Sequence, residues 1–202
     1  MASGRRRIRR AQIALLLLGA MVLPLVNAQA IAAPSRPTAR TLSELIQQDS
    51  ERTGRSWGVI HLTKEELKRL EANEADAQAK ASRTSGPAVV PRDASGCASD
   101  VCIVLKSQGG SGPVITFWET SAKQYSYDGR ICGPRASFRV NGAISFLGDI
   151  PDSVCATVPP GGVSLWYIRR TDLPRRFAVG ASLCNAWSPR NFVGYPCKRV
   201  GA

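Results

Sequence analysis

The 202-residue sequence contains one histidine, His61. That count excludes most chemistry needing one imidazole near another. No cysteine precedes Cys97, so a lipid anchor on an N-terminal cysteine is excluded. No apolar run reaches the roughly 18 to 20 residues of an unambiguous membrane span. The only glycine-rich turn, Gly109-Gly-Ser-Gly112, is not followed by the Lys-Ser/Thr that a phosphate loop requires. There is no internal repeat. Charged residues are 21% of the chain and hydrophobic ones 44%, which argues against a wholly disordered polypeptide.

What is present begins with an address. Met1 to Arg10 holds five arginines and no acid, and Ala11 to Val26 is apolar apart from Gln12. Ala28-x-Ala30 then supplies small residues at a cleavage position. These three parts read as a secretory signal over residues 1–30, cut after Ala30, with Ala32 and Ala33 as alternative sites. As a helix, sixteen residues would span only ~24 Å, short of the ~30 Å hydrocarbon core, which disfavours an uncleaved anchor. Removal of the signal lowers the formal net charge from +12 to +7.

The rest divides by composition. All six cysteines and twelve of the thirteen aromatic residues follow Gly96. Residues 31–80 read as a helical arm, 81–96 as a Ser/Pro/Gly-rich linker, and 97–202 as a disulfide-stabilised β domain. In the arm, Thr63-x-x-Glu66 is a capping box with Leu62 and Leu67 as its hydrophobic staple, and it predicts a helix from about Lys64 to about Lys80. Glu65 and Arg69 are spaced for an i,i+4 pair. Thr41-x-x-Glu44 repeats the cap ahead of a shorter helix. Both helices have thin apolar faces. The arm is therefore read as a spacer, the competing reading being a propeptide cut near Arg83 or Arg92.

In the C-terminal half, strands are predicted at 101–105, 113–118, 136–140, 143–147 and 161–168, with another around 176–179. The fold expected is mainly β, a small antiparallel sandwich or barrel behind a short α-helical arm. Asn141-Gly142 marks a hairpin. A two-residue turn would place Phe138 and Phe146 on opposite faces, whereas a three-residue loop would put both on one face. The longer loop is favoured because packing usually decides register. Cys97, Cys102, Cys132, Cys155, Cys184 and Cys197 are even in number behind an export signal, so three disulfides are expected, paired sequentially.

Candidate chemistry is sparse. With no histidine after His61, neither a Ser–His–Asp triad nor an activated thiol can be assembled inside the Cys-rich half. Zinc ligation would need Cys-x-x-Cys or neighbouring histidines, and neither occurs. Glu119, Asp128, Asp149 and Asp152 could in principle meet as paired carboxylates, though acids in turn-like sequence are usually solvated. No catalytic residue, metal or cofactor is therefore expected.

The strongest binding candidate is Leu165 to Phe177, where Arg169, Arg170, Arg175 and Arg176 stand between aromatic residues at a bend. Such a tip would attract anionic polymers, since guanidinium pairs bidentately with phosphate and carboxylate. The partner expected is an anionic cell-envelope polymer or an extracellular protein rather than nucleic acid. Trp118, Trp166 and Trp187 could form a sugar platform but suit a core better. A second reading is a secreted protease inhibitor presenting Arg170 or Arg190, and a third a small carboxylate hydrolase.

The segment Leu183-Cys-Asn-Ala-Trp-Ser188, with Gly194-Tyr-Pro-Cys197 and the basic residues after it, resembles the endings of small exported disulfide proteins of high-GC Gram-positive bacteria. The resemblance implies a short β-rich secreted domain and carries over no active residues. Together these readings describe an exported, non-enzymatic binding domain, secreted or associated with the cell wall.

Overall fold

The computed structural model describes residues 39–84, 93–108, 112–189 and 191–201. All belong to one compact unit, Arg36–Ala202. The expected signal with its Ala30 site, Arg92, Arg190 and most of the Gly109–Gly112 turn lie outside the described residues.

Helix α1 (Leu42–Thr53) starts where Thr41 Oγ1 accepts from the Glu44 amide at 3.2 Å, and stops at Gly54 in a left-handed conformation. The chain then forms β1 (Trp57–Thr63) and enters α2 (Lys64–Thr84) through the expected capping box. There the Glu66 amide donates to Thr63 Oγ1 at 3.1 Å and the Thr63 amide donates to Glu66 Oε2 at 2.9 Å. The expected Glu65–Arg69 pair is not among the ion pairs of the described residues.

Eleven further strands follow among the described residues. They are β2 (Asp93–Ala98), β3 (Val101–Ser107), β4 (Val114–Tyr125), β5 (Arg130–Cys132), β6 (Arg135–Val140), β7 (Ala143–Asp149), β8 (Cys155–Thr157), β9 (Gly162–Arg169), β10 (Arg175–Arg176) and β11 (Ser182–Ser188), and the chain closes with β12 (Cys197–Arg199). One antiparallel sheet runs β1-β9-β4-β3-β2, with β10 on β4; a second runs β12-β11-β6-β7; β5 and β8 form a ribbon. The fold is mainly β, and the two sheets pack as an open sandwich around Trp118, Phe138, Trp166, Leu183 and Trp187. On the other face of the first sheet, Leu42, Leu45 and Ile46 of α1 and Leu67 and Leu70 of α2 cover Val163, Leu165 and Tyr167. Strand β9 is thus buried on both faces.

Two expectations about organisation change here. Residues expected to form an arm and spacer are instead a structural layer, because β1 pairs with β9 along its whole length, Trp57 opposite Ile168 to Thr63 opposite Gly162. The thin apolar faces suffice because they meet a sheet and do not need to bury each other. The linker expected over 81–96 is also shorter. Helix α2 continues to Thr84 and β2 begins at Asp93, pairing with β3.

The hairpin combines both registers considered for it. Asn141 and Gly142 have φ of 50° and 85°, the two-residue turn with positive φ at both central positions. Val140 faces Ala143, but the register slips so that Phe138 faces Phe146. The bulge, and not a longer loop, brings the two rings together at 5.4 Å edge to face. Ile144, expected on that buried face, is 53% exposed.

All three disulfides form sequentially, each directly across an antiparallel pair: Cys97–Cys102 between β2 and β3, Cys132–Cys155 between β5 and β8, and Cys184–Cys197 between β11 and β12. Among the described residues no helix is long and apolar enough to cross a membrane.

Candidate functional site

The four arginines of the 165–177 segment do not share one surface. Strand alternation turns Arg169 towards the helix-covered face, directly across from Glu119 on β4. Arg169 Nη2 lies 3.3 Å from Glu119 Oε2, its guanidinium stacks on Phe117 at 4.6 Å, and Lys106 Nζ lies 5.2 Å from the same ring. Arg170 turns into the sandwich and is 2% exposed. Its guanidinium is enclosed by Trp118, Phe146 and Phe177 at 5.2, 5.4 and 5.7 Å. Both Asp172 oxygens accept from it, Oδ2 at 2.8 Å. Arginine tolerates this place because its planar cation is weakly hydrated, stacks on rings and matches a carboxylate with two parallel bonds. Arg175 and Arg176, on β10, remain exposed, and Arg175 lies 3.5 Å from Asp172. An exposed tip of four guanidinium groups is therefore replaced by two surface arginines and two structural ones.

The same burial removes Arg170 as a side chain that could be presented to a protease. The Asp172 carboxyl is held below its usual range, chiefly by its hydrogen bond from Arg170.

The four acids considered as a pair fall in separate settings. Glu119 is 1% exposed and bonded to Arg169. Asp128 Oδ2 accepts the Tyr125 amide at 2.6 Å and so braces the short 3-10 turn Ser126–Asp128 after β4. Asp149 pairs with Arg135 at 3.1 Å across β6 and β7, and Asp152 sits in the turn before β8, against Gly133. Glu119 has the strongest electrostatic signature. Burial raises its pKa from 4.5 to about 7, against the opposing pull of Arg169 and then Lys106, with Glu74 of α2 adding to the rise. The Arg169 contact is single, and Arg169 Nε is buried without a partner, so the pair compensates burial only in part.

His61, read from sequence as a structural or exposed residue, faces Ser164 across β1 and β9, with Nδ1 2.9 Å from Ser164 Oγ. Ser164 is fully buried, so the pair ties two strands and presents no hydroxyl at the surface. The arm-like composition of residues 31–80 hides this contact. The aromatic and β-branched residues Trp57, Val59 and Ile60 are the signal that could have found it.

Trp118, Trp166 and Trp187 lie in the core, and each of their indole N–H groups is satisfied there. Trp118 donates to Asn185 Oδ1 at 2.9 Å, Trp166 to Gln124 Oε1 at 2.8 Å and Trp187 to Thr120 Oγ1 at 2.9 Å. Buried indoles need such acceptors, and two of these bonds link the two sheets. The aromatic residue most open to solvent is instead Tyr127, 79% exposed and stacked on Tyr125 at 5.5 Å. Among the described residues no group of three or more His, Cys, Asp or Glu side chains gathers as a metal site. Comparison with family models, with curated proteins and with solved structures finds no match to this chain.

Proposed function

We propose that the mature chain is an exported binding module that does no catalysis and recognises anionic cell-envelope polymers through Arg175 and Arg176. The observation that carries the non-catalytic reading is the engagement of the side chains best suited to chemistry. Glu119 is tied to Arg169, His61 to Ser164, Asp128 to a backbone amide and Asp172 to Arg170. Each holds parts of the fold together. Three disulfides closing strand pairs suit an oxidising compartment, in keeping with the Met1–Ala30 signal and with the resemblance of Leu183–Cys197 to exported disulfide proteins. A mature charge of +7 favours an anionic partner.

The test is titration of the mature chain with polyphosphate at several salt concentrations. Two arginine contacts predict a log–log salt slope of about −1.5, lost when Arg175 and Arg176 are both replaced by Ala. Binding independent of salt, or unchanged in the double variant, rejects this partner.

A further inference from the structure

Helices α1 and α2 and strand β1 border a cavity of ≈ 170 Å³ that is partly open to solvent. Strand β1 is an outer strand of its sheet, so the space lies at the margin of the helix layer. Its apolar lining comes from Leu45 of α1, Ile60 and Leu62 of β1 and Leu70 of α2, and its polar lining includes Glu66 and Arg69, one turn apart on α2. Leu45 and Leu70 are buried, while Ile60 and Leu62 are half-buried. An apolar cavity of about 150 Å³ holds a benzene ring, so this one holds an apolar group of roughly six to eight heavy atoms.

The charges at the cavity are unequally committed. Glu66 Oε2 accepts from the Thr63 amide at 2.9 Å and from the Thr63 hydroxyl at 3.1 Å, which fixes its carboxylate at the start of α2. His61, which also lines the space, has Nδ1 engaged with Ser164. Arg69 is exposed and forms no ion pair among the described residues; its neighbour Glu65, one turn earlier, does not reach it. A guanidinium free to pair bidentately thus stands beside a leucine- and isoleucine-lined space of small-molecule size.

We infer that this cavity binds a small aliphatic carboxylate, its chain among Leu45, Ile60, Leu62 and Leu70 and its carboxylate on Arg69. The ligand class follows from three features together. The volume limits the chain to about eight carbons. The leucine and isoleucine part of the lining favours a hydrocarbon chain over a fully hydrated ion. The available charge selects an anion over an amine. Water retained around Arg69 would weaken the pair without changing its sign. The site shares no residue with Arg175 and Arg176, so it stands or fails apart from polymer binding.

Octanoate is the probe. Titrated into the ¹⁵N-labelled mature chain, it is expected to give saturable amide shifts at residues of β1 and the first turns of α2. Octyltrimethylammonium, with the same chain and opposite charge, is expected to give none. Arg69→Gln should weaken octanoate binding about tenfold, with Arg69→Lys in between, since a lysine keeps the charge but not the fork. Arg69 is exposed, so an unchanged thermal midpoint is expected for both variants. Absence of saturation by octanoate overturns the inference. So does equal affinity in Arg69→Gln, equal binding of the ammonium probe, or shifts confined to other parts of the molecule.

Discussion

Replacing Glu119 by Gln should make the protein more stable at neutral and alkaline pH. The folded chain holds the Glu119 proton more tightly than the unfolded chain, because burial raises the pKa from 4.5 to about 7. Below about pH 4.5 the group is protonated in both states and costs nothing extra. As pH rises, the unfolded chain ionises first, so stability falls until the folded carboxyl also ionises near pH 7. Above that the loss is complete and constant. The separation of the two pKa values corresponds to about 3 kcal/mol, at 1.36 kcal/mol for each unit. A glutamine is neutral throughout and keeps an oxygen for Arg169, so it is free of this term. Urea unfolding of both proteins with disulfides intact, at about pH 4.5, 6 and 8, measures the difference directly. The variant should gain on the parent by up to about 3 kcal/mol between the lowest and highest pH. Subtracting one curve from the other cancels ordinary titrations, including the opposite contribution of Asp172. A difference that is flat with pH would refute the reasoning. A difference that moves towards the parent would show that Arg169 outweighs burial.

Removing the cation from Arg170 should separate volume from charge. Arg170→Ala opens a hole among Trp118, Phe146 and Phe177 and is expected to cost about 3 kcal/mol, whereas Arg170→Met, which refills the space, should cost about 1 kcal/mol or less; both are read from urea midpoints. Replacing both members of Cys132–Cys155 by Ala should cost about 1 kcal/mol more than the same change at Cys97–Cys102. The sequence separations are 23 and 5, and loop-closure entropy grows with loop length, so the comparison is again by denaturant unfolding.

The helix caps were legible because they are local. Thr41, Thr63 and Glu66 meet amides within one turn of themselves, so their spacing alone carries the information. Asn141-Gly142 was legible for the same reason, since a turn with two positive φ values selects those residues. The bulge beyond it was not. It depends on Phe138 and Phe146 finding a shared core beneath Trp118. Strand β1 was hidden for a related reason. Its pairing partner β9 begins about a hundred positions later, and no periodicity in residues 57–63 reports that distance. Gly58 illustrates the consequence. A Cβ there would lie 2.7 Å from the Tyr167 ring, which crosses the glycine and donates to Asp49 Oδ2 on α1 at 2.8 Å. Sequence alone shows a glycine in a β-branched run; the structure shows the space it leaves for a tyrosine that joins sheet to helix.

By itself the sequence determined the β-rich class, the count of six cysteines, the two helix starts and the hairpin turn, because each rests on composition or on residues a few positions apart. Tertiary structure decided that the N-terminal helices are a layer of the fold and that, of four neighbouring arginines, Arg170 is interior and Arg169 half-buried. Along β9 and the bend after it, Arg169 and Arg170 point to opposite sides of one sheet, towards Glu119 on one and Trp118 on the other. By sequence alone, adjacent residues with the same charge resemble one surface. Strand alternation and long-range pairing, which no local pattern encodes, divided them between a half-buried and a buried environment.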